Sequence, residues 1–362
     1  MPGSATPCAV TIPTIETPDT ALQTVHLGGP GSRDGALRDL LVARVRASGR
    51  GDLIDFVTYY FRDRRLAAEL AAAAGRGVEV RVTLEARPRR ADANTAVAAQ
   101  LARPVGDGGI GGGLKLLEHS PLLPGTRARP RLHEKLYVFS NPPTAFVGSF
   151  NPSGDDPELA PEVTQEIGDH DRGYNLLVEL RDSALVEALT SHARNIQTGR
   201  HGFFERFQRD PSLSDEQTEL AFWPRVGAHP FFAKLGELGG GDRARIVASH
   251  VSGKAAIRAL AAAASRGANV ELLSHANARR FPQDTEARLR ASGVVVQRVG
   301  TEATHPMHDK FALLDCAGVR CAAFGSYNLN TQSRWLNHEI GVFTRDAGVY
   351  TALEQRWEQL QR

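Results

Sequence analysis

LHEKLYVF at Leu132–Phe139, followed by FVGSFN at Phe146–Asn151, returns later in the chain as MHDKFALL at Met307–Leu314 and AFGSYN at Ala323–Asn328. Working outward, the repetition continues on both sides. Upstream, LAAELAAAAGRGVEVRVTLEARPRR (Leu66–Arg90) matches AIRALAAAASRGANVELLSHANARR (Ala256–Arg280). Each reads as an Ala-rich helix, a basic turn with Gly, then a short apolar strand. A further strand candidate precedes each, Leu53–Tyr60 and Ala244–Ser249, so strand–helix–strand predicts a parallel βαβ unit in both halves. Downstream, NLLVELRD (Asn175–Asp182) echoes EIGVFTRD (Glu339–Asp346), and each leads into a helical pattern, Ser183–Ile196 and Ala347–Leu360. The same order of elements twice predicts a duplicated α/β unit. The expected division is an irregular, Pro- and Thr-rich arm over 1–33, one lobe over 34–200, an aromatic connector over 201–232, and a second lobe over 233–362.

Composition bounds the function. With 41% hydrophobic and 23% charged residues in 362, the chain can bury a large core, and wholesale disorder is excluded. A formal charge of +2 provides no global cationic field for long nucleic acid, although a local patch stays open. Three cysteines (Cys8, Cys316, Cys321) make no disulfide framework or zinc site, which fits a reducing, cytoplasmic setting. No run of 18 apolar residues is present, and the first twenty residues lack the pattern of a secretory leader. Gly106–Gly113 (GDGGIGGG) reads as a loop; it lacks the strand–helix context of a dinucleotide site.

The chemistry lies in the repeated motifs. The chain has five lysines, and two of them stand two residues after a histidine, in His133-Glu134-Lys135 and His308-Asp309-Lys310. In a strand, residues i and i+2 share a face, so imidazole and ammonium project together. On the neighbouring strand Ser149 and Asn151 share a face, as do Ser326 and Asn328. If the strands pair and the halves meet about a pseudo-twofold axis, two imidazoles, two ammonium groups, two hydroxyls and two amides converge. That set suits a phosphodiester, whose anionic oxygens need donors and whose displacement needs a nucleophile and an acid.

With both clusters in view, the chain resembles the phospholipase D superfamily, whose signature is His-x-Lys-x4-Asp followed by Gly-Ser-x-Asn. The second half carries all of it: His308, Lys310, Asp315, Gly325, Ser326, Asn328, then Glu339. The first half carries His133, Lys135, Gly148, Ser149 and Asn151, with Ser140 in place of the Asp and Asn175 in place of the Glu. The resemblance implies two mixed sheets flanked by helices, with one site at the lobe interface. It implies a two-step, metal- and cofactor-independent reaction in which one histidine attacks phosphorus and the other moves protons; by analogy His133 is the nucleophile and His308 the acid/base. Each imidazole needs an acceptor on its far nitrogen: Glu339 in the second half, and Asn175, Glu166 or Asp171 in the first. The substrate expected first is a phospholipid headgroup, with peripheral membrane contact; a nuclease or nucleotide phosphodiesterase is second, and a degenerate phosphate-binding module third. A basic groove favours nucleic acid and an apolar funnel favours lipid. Nothing in the sequence fixes the oligomeric state.

Other groups are weighed against plain structural roles. His26, His119, His192, His201, His229 and His250 are expected to be packing or surface residues; His305, His338 and His275 are weaker pocket candidates. Tyr59 and Tyr60 are expected beside the pocket or in the core. The arginine groups Arg62–Arg65 and Arg87–Arg90 are expected to be solvated faces, with an anion-collecting patch as the alternative. Phe203, Phe204, Phe207, Phe222, Trp223, Phe231 and Phe232 in the connector are packing between halves or an apolar rim.

Overall fold

A computed structural model describes residues 22–90, 92–119, 129–154, 172–199, 213–214, 217–299 and 305–362. Outside these lie Cys8, residues 155–170 of the acidic stretch Pro152–His170, which by sequence is expected to be an insertion that the second half lacks, Glu166, Asp171, residues 121–128, which by sequence are expected to form a loop, His201, Phe203, Phe204 and Phe207.

The elements run β1 (Gln23–Gly28), α1 (Ala36–Ala47), β2 (Leu53–Thr58), α2 (Arg64–Gly75), β3 (Glu79–Glu85), α3 (Thr95–Leu101), β4 (Leu114–Leu117), β5 (Lys135–Ser140), β6 (Pro143–Gly148), β7 (Asn175–Leu180) and α4 (Ser183–Thr198). The second half follows with β8 (Leu213–Ser214), β9 (Thr218–Trp223), α5 (Pro230–Glu237), β10 (Arg243–Ala248), α6 (Lys254–Ser265), β11 (Asn269–His275), α7 (Gln283–Ala291), β12 (Val295–Val299), β13 (Lys310–Cys316), β14 (Val319–Gly325), α8 (Thr331–Trp335), β15 (Glu339–Thr344) and α9 (Ala347–Gln361). One sheet has the order β1-β7-β6-β5-β2-β3-β4 and the other β12-β11-β10-β13-β14-β15-β9-β8. Read from opposite ends the two orders coincide strand for strand, apart from the short added β8. Both predicted βαβ units are present, β2–α2–β3 and β10–α6–β11, each with parallel strands.

The repeat reaches further than the sequence reading placed it. β1 lies within the supposed irregular arm, and pairs antiparallel with β7 from Gln23↔Leu180 to Gly28↔Asn175. β9 lies within the supposed connector, and pairs with β15 in the same way. Each is the strand that covers the outer side of its lobe's last motif strand. Their short apolar runs acquire a strand conformation from that neighbour, which the local sequence does not reveal. Phe222 and Trp223 are thus core strand residues and Phe231 is buried on α5, so these three form no apolar rim.

Side chains alternate between two faces of each sheet. On β5, Leu136 and Val138 face one core while Tyr137 and Phe139 face another. On β13, Phe311 and Leu313 join the first of these, and Ala312 and Leu314 a third. The shared core also takes Leu185, Leu189 and Ile196 of α4 and Tyr350, Leu353 and Trp357 of α9. The two sheets therefore sandwich α4 and α9 between them, and the remaining long helices cover the outer faces. Cys316 and Cys321 are free thiols; Cys321 stands across from Leu314 and Cys316 from Val319.

Candidate active site

Two short pairings stitch the lobes and build the site. Leu132 bridges His338, and Tyr174 bridges Met307, both in parallel sense. The backbone N–H of His133 donates to His338 O at 3.0 Å, and that of His308 donates to Tyr174 O at 3.0 Å. Each motif histidine is thereby fixed one residue away from the start of the other lobe's last motif strand. Those starting residues are Glu339 and Asn175.

The consequence is a crossed arrangement. His133 Nδ1 lies 2.9 Å from Glu339 Oε2, and His308 Nδ1 lies 2.9 Å from Asn175 Oδ1. The expectation that each acceptor would serve its own half is overturned, because the acceptor's strand ends against the opposite lobe. Glu339 is fully buried and its four acceptor positions are taken: Oε2 by His133 and Ser326 Oγ (2.6 Å), Oε1 by Ser333 Oγ (2.7 Å) and Asn337 Nδ2 (3.1 Å). Burial pushes its carboxyl up, but His133, Lys135 and Ser326 outweigh that and hold it below the usual carboxylate range. Asn175 is held by Nδ2 donating to Gly173 O (3.3 Å), which leaves Oδ1 to accept from His308 and from Ser149 Oγ (3.3 Å).

Ser149 and Ser326 consequently do not join a hydroxyl cluster facing substrate. Each donates to the orienting residue and accepts the next backbone N–H, from Leu176 and Ile340 at 3.0 Å. The glycine before each serine has a steric reason. A Cβ on Gly148 would lie 2.2 Å from Leu176 O, and one on Gly325 2.2 Å from Ile340 O. Asn151 Oδ1 accepts from Tyr60 N (3.2 Å), and the Asn328 backbone N–H donates to Ser333 Oγ (3.4 Å).

Lys135 and Lys310 are buried, and each gives one of its donors to the carbonyl of its own motif histidine, at 2.7 and 2.6 Å. Burial first, then Lys135 and Arg280, push the Lys310 ammonium well below its ordinary value. Burial likewise holds His133 down to about 4, with Glu339 pulling up and Lys135 and Lys310 pushing down. His308 is held well below 6.5 by burial, then Lys310, Lys135 and Arg280. Both imidazoles are neutral at pH 7 in a pocket that is otherwise cationic.

Asp315 is not at the site. It accepts from Tyr350 Oη at 2.8 and 2.9 Å, tying β13 to α9. Its counterpart Ser140 accepts from Leu53 N at 2.8 Å, so this departure from the signature touches scaffolding alone.

His133 and His308 line one cleft of about 300 Å³ with Tyr59, His250, Asn328, Asn330, Gln332, Ser333, Asn337 and four arginines, Arg89, Arg131, Arg279 and Arg280. Several of these carry no signal in the sequence that places them at the site. His250 follows β10 at the place Tyr60 holds after β2, since Thr58 pairs with Lys135 as Ala248 pairs with Lys310. By the same repeat His275, the last residue of β11, corresponds to Glu85, the last of β3. Both close their strand by accepting a backbone N–H two residues on, from Asn277 and Arg87. His338 contributes its backbone to the lobe bridge and its ring packs on His119, 5.0 Å between centroids. Ser333 and Asn337 carry no repeat signal, because α8 has no described counterpart in the first half.

Residues 46–180 and 240–361 match the model of a family described as cardiolipin synthase, PLD-like domain. Curated proteins provide no match. Among solved structures, phosphatidylserine synthase from Haemophilus influenzae is similar at 11% identity and a TM-score of 0.66, covering 93% of this chain and 86% of that one. Polyphosphate kinase from Porphyromonas gingivalis is similar at 12% identity and a TM-score of 0.62 over 94% of this chain, which spans only 50% of the kinase. At these identities the likeness is one of fold.

Proposed function

The chain belongs to the cardiolipin synthase, PLD-like domain family, and from that premise we propose that it cleaves or exchanges phosphodiesters through a covalent intermediate on His133. The observation that carries the reading is the crossed pairing of His133 with Glu339 and His308 with Asn175 inside one cationic cleft. When the His133 Nε2 lone pair attacks phosphorus, a P–N bond forms and positive charge develops on the ring. The Glu339 carboxylate, accepting from Nδ1–H, stabilises that charge. Asn175 offers His308 a neutral acceptor instead, so the His308 imidazolium stays more acidic and gives its Nε2 proton readily to the leaving oxygen as the P–O bond breaks. His308 then takes a proton from water or an alcohol, whose oxygen attacks phosphorus, breaks the P–N bond and frees His133. Lys135, Lys310, Asn151 and Asn328 are the donors available to the non-bridging oxygens, which gain charge in the transition state. The substrate anion also offsets the cations that hold His308 neutral, so binding favours its protonated form.

The family description supports a phospholipid as substrate. The described walls of the cleft are polar and basic, with Tyr59 and the three histidine rings the aromatic groups among the lining residues, so the part of the substrate they meet is its charged headgroup. The same walls support the second reading, a nucleotide phosphodiesterase. A purely binding role is weakened because both departures in the first half keep a structural purpose: Ser140 pairs with Leu53 and Asn175 orients His308.

The test uses bis(p-nitrophenyl) phosphate, whose leaving group needs no acid. His308→Asn should release one nitrophenolate per molecule in a burst and carry a phosphoryl adduct on His133 by mass spectrometry; His133→Asn should show neither. An adduct on His308 in the His133→Asn protein would reverse the roles. Turnover should persist in strong chelator, since side chains fill the nucleophilic, proton-transfer and charge-stabilising roles; abolition would sink the metal-independent scheme. Vesicles of phosphatidylglycerol and phosphatidylcholine beside single-stranded DNA then separate lipid from nucleic acid.

A further inference from the structure

Each copy of the repeat ends in a twin arginine, Arg89-Arg90 and Arg279-Arg280, in the loop after β3 and after β11. These loops leave the carboxyl ends of parallel strands, where open α/β sheets hold ligands. Three of the four residues, Arg89, Arg279 and Arg280, line the same cleft as the two histidines, and Arg131 joins them. Arg131 and Arg89 are anchored on one ring: Tyr59 Oη accepts from Arg131 Nη1 at 2.8 Å and from the Arg89 backbone N–H at 2.7 Å. Arg280 is 1% exposed and its Nη1 donates to Ser249 Oγ at 3.0 Å. Its charge reaches the reacting groups, lowering the proton affinity of His308, Lys310 and His250.

The charge count exceeds what one phosphodiester needs. Such a group brings a single negative charge, and Lys135 and Lys310 already stand behind the histidines. Among the described residues that line the cleft there are four guanidinium groups and no carboxylate. A volume of about 300 Å³ lies at the small end of ligand sites, which run from roughly 300 to 1,000 Å³. A second anion held here must therefore be a close neighbour of the first.

We propose that Arg89, Arg279 and Arg280, with Arg131, form a second anion seat, and that the preferred substrate carries another phosphate group next to the scissile phosphodiester. This rests on the cleft being the phosphodiester site, and it names the substrate class for that site. Planar guanidinium forks bind anionic oxygens pairwise, and several of them around one seat suit a phosphoryl group, which has more charge and more acceptor oxygens than a lone carboxylate. A nucleotide chain and a phosphorylated lipid headgroup share this chemistry.

Calorimetry reads the seat without depending on turnover. Wild-type protein should bind inorganic pyrophosphate at least about tenfold more tightly than inorganic phosphate. In Arg89→Ala/Arg279→Ala that ratio should fall to within about threefold, whereas Arg50→Ala/Arg288→Ala, which removes equal charge away from the cleft, should keep it. Equal affinity for the two anions in wild type, or an unchanged ratio in the first double variant, overturns the proposal. Two substrate pairs identify the source: the p-nitrophenyl ester of thymidine 5′-phosphate with and without a 3′-phosphate, and vesicles of phosphatidylinositol 4-phosphate against phosphatidylinositol. The extra phosphate should lower KM about tenfold in one pair; no effect in either pair, with turnover present, also overturns it. Pyrophosphate preference without turnover of any ester would leave the seat standing and remove the reaction proposed above.

Discussion

His133 and Glu339 stand 206 residues apart and meet at 2.9 Å, and that contact sets the chemistry of the site at the scale of single residues. Glu339→Gln keeps a hydrogen-bond acceptor and removes the charge that stabilises the attacking imidazole, so kcat should fall by about 10²–10⁴ with KM little changed. The pH profile separates this from a structural effect. Attack needs neutral His133, and its proton affinity is held down to about 4. With bis(p-nitrophenyl) phosphate, whose leaving group needs no acid, the rate constant of the first nitrophenolate release should therefore stay level from pH 7 to near 5 and bend down only around 4, below the ordinary histidine value. Glu339 pulls that affinity upward, so in Glu339→Gln the bend moves to lower pH; a bend moving upward would contradict the assigned pairing. Asn175→Asp places a carboxylate against His308 Nδ1 and stabilises its imidazolium. The alkaline limb of kcat should then move up by about 1–3 pH units.

At the scale of elements, the residue inside each His-x-Lys motif turns the opposite way from the site and ties its strand to the lobe's last helix. Glu134 accepts from His192 Nε2 of α4 at 2.9 and 3.0 Å, and the His192 ring stacks on Phe222. Asp309 accepts from Arg356 Nε of α9 at 2.7 Å, with both side chains fully buried, and Arg356 Nη2 reaches Gly28 O on β1. Helix α9 thus connects a motif of one lobe to the edge strand of the other. Arg356→Ala leaves a buried carboxylate uncompensated and should cost about 3–5 kcal/mol by urea unfolding. The double change Asp309→Leu/Arg356→Met should recover much of that loss, because the isolated charge is then gone as well. At the end of β14, Gly325 sits at φ 146° with Ile340 O where a side chain would begin. Gly325→Ala should cost about 2–3 kcal/mol and displace Ser326 and Asn328, so that both melting temperature and kcat fall.

The whole molecule behaves as one body because the core between the sheets is built from both halves, with α4 and α9 inside it. That burial has a price in acid. His133 and His275 are held to about 4, His229 to about 3, and His250 and His308 well below 6.5, burial being the first cause in each. The unfolded chain binds protons on these rings near 6.5 and the folded chain does not, so stability is fully present above that pH. It is lost as pH falls from about 6.5 toward 4. Urea midpoints taken at pH 7.5, 6 and 5 should decline steadily; constant midpoints over that span would contradict it. Among the described residues no helix is long and apolar enough to cross a membrane.

The sequence by itself determined the duplication, the parallel βαβ units, and the pairing of each histidine with a lysine two residues on, because strand alternation and Ala-rich periodicity are local signals written twice. Glu339 and Asn175 were legible as candidates for the same reason. Which histidine each one serves was decided by tertiary structure: the bridges Leu132↔His338 and Tyr174↔Met307 cross the lobe boundary, and no spacing along the chain encodes a contact between two halves. The same holds for β1 and β9, whose strand character comes from the neighbour they cover. It holds again for the arginines, which look like a solvated face until the loops of two sheets are brought around one cleft. Local pattern fixes what a segment becomes; the charge and geometry of a shared site exist only once the two halves are folded against each other.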